Sequence, residues 1–200
     1  DLDAETREMF AQIPMTIGSS ADVRHKNRYD DIIPYNYNRV ILNSDASLYL
    51  NYSVLLNMDD EYFCTVGQGP TDKTINDFYL MIYEHNIKQV LMLCDFVEDS
   101  RPKCAQYFNK IGEDLECDNF LVEVVSNWPD KKIPDNLDSV LNILILFTVK
   151  NVCEDNMLVH CSAGVGRTGT FAMLYMVFNS LMKGVILIIL FYYNTNEHPQ

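Results

Sequence analysis

The sequence predicts an α/β layered domain, and three observations carry that expectation. Short apolar runs bounded by polar residues alternate with longer helical stretches along the chain. No internal repeat, low-complexity segment or linker divides the 200 residues, a length that suits one substantial core, so residues 1–200 are expected to form a single domain. The composition, 48% hydrophobic and 22% charged, is that of an ordinary globular domain.

The elements follow in order. Residues 61–66 read as a strand. Residues 74–84 read as a helix opened by Thr74 and Asp77, a capping-box-like pair. The apolar run 89–94 lies between polar flanks and reads as a buried strand. FLVEVV, residues 120–125, is rich in β-branched residues and reads as another. Residues 136–149 are long and apolar, which predicts a mostly buried helix. Residues 157–160 form a short strand, and a helix begins near Arg167. The stretch 171–193 is apolar, but Asn179, Ser180, Lys183 and Gly184 interrupt it, and VILIILFYY is too short to span a bilayer. A buried helix followed by a strand or second helix is expected there, without direct membrane insertion. The N-terminal DLDAETREMF lacks the basic and apolar regions of a signal peptide.

A formal net charge of −13 argues against nucleic acid and anionic membrane surfaces as partners. A pocket for one anionic group stays compatible with it, because local charge can oppose the global sign. The six cysteines, at 64, 94, 104, 117, 153 and 161, show no C-x-x-C pair or regular spacing. Neither a zinc site nor a disulfide framework is indicated, and buried thiols in a reducing compartment are expected.

The sharpest local pattern is LVHCSAGVGRTGT, residues 158–170. A buried strand runs into a small, Gly-rich loop and then a helix. Five residues separate Cys161 from Arg167, and Gly164 and Gly166 permit a tightly curled backbone. Successive N–H groups in such a curl point inward and make an anion nest at a helix N-terminus. The same partial positive charge favours the nucleophilic thiolate of Cys161. Arg167 supplies a two-pronged donor matched to two phosphoryl oxygens. A nucleotide-binding P-loop is excluded by the missing Lys of G-x-x-x-x-G-K-[ST].

HCSAGVGRTGTF resembles the signature loop of the phosphotyrosine-specific, cysteine-dependent protein-tyrosine phosphatases. Four further blocks resemble that family in its own order: KNRYDDIIPYNYNRV (26–40) its substrate-recognition loop, VGQGPTDKTINDFYLMIYE (66–84) its QGP segment and helix, VLMLCDFVEDSRPKCAQYF (90–108) its next strand and loop, and NWPDKKIP (127–134) its mobile acid-bearing loop. The resemblance implies a twisted mixed β-sheet flanked by helices and hydrolysis of phosphotyrosine in proteins, without a cofactor or metal. Phosphotyrosine-containing proteins are the implied partners. The implied location is the cytoplasm, as a free enzyme or as the cytoplasmic domain of a membrane receptor.

Roles carry over by resemblance. Cys161 matches the nucleophile, Arg167 the phosphate-binding arginine, Asp130 the general acid and then base, and Thr168 the hydroxyl that assists the thiolate as leaving group. Ser162, Ala163, Gly164, Val165 and Gly166 match the phosphate cradle, with His160 before them as a supporting residue. Tyr29 matches the ring that stacks on phosphotyrosine and Asp31 the carboxylate that fixes the substrate backbone. Glu98 matches the carboxylate that orients the arginine, and Lys103 a lysine near the acid loop. Arg24, Lys26, Arg28, Lys131 and Lys132 are expected to form a basic rim.

Three departures stand out. Only residues 109–126 separate the QYF segment from the acid loop, where the family has several more strands, so a sheet lacking strands and with exposed edges is expected. LYLNYS, residues 48–53, stands where the family has a YINAS-like run. The family's glutamine-bearing, water-positioning loop is expected to be missing beyond NEHPQ. The complete Cys, Arg and Asp set favours a competent phosphatase; the lost segments favour a catalytically impaired phosphotyrosine-binding module on the same fold.

Overall fold

The computed structural model describes residues 11–108, 120–125, 128–130, 132, 134, 137–151 and 156–196. A short 3-10 turn at Arg24–Lys26 precedes β1 (Tyr52–Leu56) and β2 (Tyr62–Gln68). Next come α1 (Ile75–Glu84), β3 (Ile87–Met92), the two-residue strands β4 (Val97–Glu98) and β5 (Arg101–Pro102), and β6 (Leu121–Val124). The chain then passes through α2 (Leu137–Asn151), β7 (Asn156–Cys161) and α3 (Gly166–Asn196). Most of residues 109–126, where missing strands are expected, and Asn127, Lys131 and Ile133 of the acid loop lie outside the described residues.

The five-stranded sheet has the order β1-β2-β7-β3-β6. β1 and β2 are antiparallel, and every other neighbouring pair is parallel. The sheet is therefore mixed, as expected. β7 occupies its centre, with Met157, Leu158 and Val159 buried. A central parallel strand is covered on both faces, which is why it reads as a continuous apolar run rather than an alternating one. The edges are β1 and β6, and β6 leaves Leu121 and Val124 partly exposed.

Register decides where function can sit. Gln68 at the end of β2 pairs with Cys161 at the end of β7. Met92 at the end of β3 pairs with His160 and, on its other side, with Val124 at the end of β6. Four strands thus finish along one edge, where α/β sheets place their ligands. The segments that follow them, beginning at Gly69, Leu93, Val125 and Ser162, all leave from that edge.

The helices match the expected positions but differ in detail. α1 turns Phe78, Met81 and Ile82 into the core, the i, i+3, i+4 spacing of one helical face. Its capping box does not form. The Thr74 side chain makes no cap bond, and its Oγ1 instead accepts the N–H of Thr71 at 2.9 Å, while Asp77 pairs with Lys26. α2 buries Val140, Leu144 and Phe147 but exposes Leu137, Leu141 and Ile145 along its other side, so it is less buried than its composition suggests.

The stretch after residue 171 differs most. A single helix of 31 residues replaces the expected helix plus strand or second helix. The polar interruption does not break it because its cost is small: a helical Gly loses about 1 kcal/mol relative to Ala. Ser180 returns its hydroxyl to the carbonyl of Met176 at 2.9 Å, within the helix. Nor is the helix fully buried: Phe171, Ala172 and Tyr175 face the core, whereas Met173, Leu174, Val177 and Leu181 are exposed. Among the described residues no helix is long and apolar enough to cross a membrane.

Candidate active site

The loop between β7 and α3 curls back on its own cysteine. The Gly164 N–H donates to Cys161 Sγ at 3.3 Å. That turn requires Gly164 at φ +79°, and a Cβ there would lie 2.3 Å from the carbonyl carbon of Gly67. Both the left-handed backbone and the close approach exclude a side chain. Cys161 is buried at the loop's base, with Ser162 and Thr168 also buried, while Val165 is exposed at the lip. Gly166 begins α3, so the curl meets a helix N-terminus.

Arg167 lies in the first turn of α3 with a nearly buried side chain. Nη1 and Nη2 donate to the two carboxylate oxygens of Glu98, at 2.5 and 3.1 Å. Nη1 also donates to the Trp128 carbonyl at 2.9 Å. Burial works against the guanidinium's charge, and the Glu98 bonds more than offset it, so its pKa is held above the ordinary value. The clamp fixes the plane of the guanidinium, which a bidentate phosphate contact requires.

The acid loop is seated on this same clamp. Trp128 is buried, and its indole N–H donates to the Lys132 carbonyl at 3.0 Å, closing a tight turn with Lys132 N and the Pro129 carbonyl. Asp130 stands on that turn, partly exposed. Its Oδ2 accepts from Lys103 Nζ at 3.0 Å, and its Oδ1 lies 3.8 Å from Arg167 Nη2. The Asp130 hydrogen bond raises Lys103 above its ordinary pKa. Lys103 also lies 3.9 Å from Glu98, so four charged side chains from three segments form one network.

Next to Cys161, the Tyr29 hydroxyl lies 3.0 Å from Ser162 Oγ. The segment carrying Tyr29 is stapled to the sheet end. Gln68 Oε1 accepts the Arg28 N–H at 2.8 Å, and Gln68 Nε2 donates to the Lys26 carbonyl at 2.8 Å. The variant LYLNYS run supports the same segment, with Tyr49 Oη and Asn51 Nδ2 both donating to Asn27 Oδ1.

The structure thus brings Cys161, Ser162, Gly164, Arg167, Glu98, Lys103, Asp130 and Tyr29 together. Ala163 and Val165 line an adjoining pocket of about 190 Å³ with Ile32 and Pro34. Asp31 is exposed, two residues beyond Tyr29. His160 is fully buried beneath the loop. Its Nδ1 contacts the Cys161 carbonyl at 3.1 Å and its Nε2 the Tyr107 hydroxyl at 2.6 Å, which suits the tautomer protonated on Nδ1. The Thr168 hydroxyl is buried and has no hydrogen-bond partner among the described residues.

The expected basic rim requires correction. Arg24 pairs with Asp30 at 3.1 Å and Lys26 with Asp77 at 2.9 Å. Arg28 is spent on the Gly69 and Pro70 carbonyls. Lys131 lies outside the described residues, and Lys132 is exposed on the acid loop. Three contributors escaped sequence reasoning: the Trp128 carbonyl, the Tyr107 hydroxyl under His160, and Gln68. The last two sit inside QYF and QGP, so their signal was present without an assigned partner. A backbone carbonyl carries no sequence signal at all.

The remaining described cysteines, Cys64, Cys94 and Cys104, are buried free thiols. Burial pushes the Cys64 pKa up to about 12. The side-chain contact with Cys104, together with burial, raises Cys94.

A cysteine inside a curled loop at a helix N-terminus, with a clamped arginine and a nearby carboxylate, is what this α/β domain presents at its sheet end. The protein-tyrosine phosphatase family model matches residues 23–127 and 124–194. Receptor-type tyrosine-protein phosphatase C of Rattus norvegicus is 30% identical, over 82% of this chain and 16% of its own length. Tyrosine-protein phosphatase non-receptor type 12 of Homo sapiens is 30% identical, over 86% of this chain and 27% of its own length. The crystal structure of the catalytic domain of human protein tyrosine phosphatase non-receptor type 18 superposes with a TM-score of 0.78 at 25% identity, covering 92% of this chain and 79% of that one. The chain belongs to the protein-tyrosine phosphatase family. It spans well under a third of either relative, so activity and substrates are matters of proposal.

Proposed function

We propose that the chain hydrolyses phosphotyrosine in proteins through a phosphocysteine intermediate. The observation that carries this reading is the Cys161 sulfur held inside its own loop by the Gly164 N–H, in a loop that leads into an arginine locked by Glu98. The Cys161 thiolate attacks phosphorus, the phosphorus–tyrosyl oxygen bond breaks, and Asp130 gives its proton to the departing oxygen. Water then attacks the phosphocysteine with Asp130 as base, releasing inorganic phosphate and the thiolate. Loop N–H groups from Ser162 to Gly166 and the Arg167 guanidinium hold the phosphoryl oxygens throughout, stabilisation that is preorganised and therefore free of reorganisation cost. Glu98 orients Arg167, Lys103 positions Asp130, and Tyr29 forms the wall that a phosphotyrosine ring packs against. Asp31 is assigned the substrate backbone, and Thr168, with its unspent hydroxyl, the Cys161 sulfur during the second step.

Phosphotyrosine proteins are the partners this site suits; the related fold of PTPN18 has been solved with HER2 phospho-peptides. A cytoplasmic setting, free or as part of a receptor, fits relatives of both the receptor and non-receptor types. The test is hydrolysis of p-nitrophenyl phosphate and of matched phosphotyrosine and phosphoserine peptides, beside a Cys161→Ser control. The expected result is hydrolysis of the aryl phosphate and the phosphotyrosine peptide, lost by on the order of 10⁴-fold or more in the control. Comparable turnover of the phosphoserine peptide, or activity surviving Cys161→Ser, would refute the reading.

A further inference from the structure

We propose that Asp30 and Asp31 make this site select phosphotyrosine flanked by basic residues and discriminate against acidic flanks; the inference rests on the phosphotyrosine reading and narrows its substrate class. Tyr29 is fixed to the phosphate loop through Ser162, at 3.0 Å. Asp30 and Asp31 follow it directly, and the next residues, Ile32 to Pro34, line a pocket together with Ala163, Gly164 and Val165 of that loop, so the two lie in the chain between two segments that border the site. Both are exposed aspartates.

Among the described residues, most cations around the site are already engaged. Lys26 is held by Asp77 at 2.9 Å, with both side chains largely buried. Lys103 is held by Asp130 and Glu98, and Arg167 by Glu98. Arg28 lies against the Gly69 and Pro70 carbonyls. Lys132 is exposed but belongs to the acid loop. Among the described residues on the Tyr29 side this leaves Arg24, Asp30 and Asp31. Arg24 Nε bonds Asp30 Oδ1 at 3.1 Å, with side chains 59% and 68% exposed. That trio carries one positive and two negative charges, a net −1.

The trio's sign decides the preference. An exposed ion pair holds its partners weakly, so a peptide side chain can displace either member at little cost. A lysine or arginine that takes Asp30 leaves Arg24 beside Asp31, and no charge is stranded. A glutamate that takes Arg24 leaves two adjacent aspartates unbalanced. The net charge of −13 adds a long-range field of the same sign, which steers cationic peptides in and slows anionic ones. The phosphoryl dianion escapes this field because the buried loop N–H groups and Arg167 meet it at the base of the pocket.

The experiment measures binding, so that it does not depend on turnover. Cys161→Ser protein is titrated with two phosphotyrosine peptides of one length, flanked by lysines or by glutamates, at low and high salt. The lysine-flanked peptide is expected to bind about fivefold tighter at low salt, consistent with exposed charge pairs. Most of that difference should vanish at high salt. Asp30→Arg in the same background should invert the order, and the milder Asp30→Asn should shrink it. Tighter binding of the glutamate-flanked peptide, a ratio unmoved by both Asp30 variants, or no binding of either peptide would overturn the inference. Hydrolysis of p-nitrophenyl phosphate, which has no flanks, reports separately on the underlying reading. Turnover without a charge preference removes the inference alone; a charge preference without turnover removes the phosphatase reading alone.

Discussion

Residues 156–170 and residues 171–196 are one continuous piece of chain, yet they are specified in different ways. In the first part the decisive positions answer to particular neighbours. Gly164 must turn left-handed within 2.3 Å of Gly67, Cys161 must accept the Gly164 N–H, and Arg167 must meet Glu98 and the Trp128 carbonyl. In the second part composition dominates. Apolar residues fall on both the buried side, Phe171 and Tyr175, and the exposed side, Met173, Val177 and Leu181. Chemistry constrains a loop residue by residue, whereas an apolar helix is constrained only by which of its faces meets the core.

Substitutions can break or sharpen that contrast. The largest effect is expected at Asp130. Asp130→Ala should slow cleavage of a phosphotyrosine peptide by about 10²–10⁴-fold, the usual worth of a positioned proton donor. The loss should be much smaller for p-nitrophenyl phosphate, whose leaving group departs without a proton. Equal losses on both substrates would remove Asp130 from the acid role.

Glu98→Ala comes next. It strands the Arg167 guanidinium, whose side chain is only 4% exposed, without its carboxylate. Removing one partner of a buried pair costs about 3–5 kcal/mol. A clear fall in the urea midpoint, with an unchanged slope, is expected; an unaltered midpoint would mean that the clamp does not hold the loop.

The smallest effect should come from the helix surface. Phe171→Ala empties a fully buried position and should cost about 3–5 kcal/mol. Val177→Ser, less than two turns further along, should stay within about 0.5 kcal/mol. If the two cost the same, the exposed face of α3 is covered after all, and the contrast between the two parts fails.

How much of this was legible follows the same division. The apolar runs located β2, β3, β6 and β7, a central parallel strand such as 157–160 being continuously apolar, but not β1, β4 or β5. The order of the five family-like blocks located the site because it lies where β2, β3, β6 and β7 end together. The sequence misled where local propensity competes with tertiary alternatives. Thr74 looks like a cap, but its hydroxyl accepts the Thr71 N–H instead. Asn179 to Gly184 look like a break, but a helix absorbs their modest penalties. The basic rim misled for another reason: adjacency in sequence says nothing about pairing. Lys26 meets Asp77, 51 residues away, and Arg24 meets Asp30.

The central claim is that the residues gathered at the sheet end form a covalent phosphoryl-transfer site. It is tested most directly by mixing the protein with a phosphotyrosine peptide, quenching with acid within a turnover, and mapping phosphate by mass spectrometry. Splitting the reaction into attack and hydrolysis makes the intermediate a real species that acid can trap. The account predicts phosphate on the sulfur of Cys161, absent from the Cys161→Ser protein. Hydrolysis that proceeds with no phosphate on Cys161 at any quench time, or with phosphate on another residue, would contradict it.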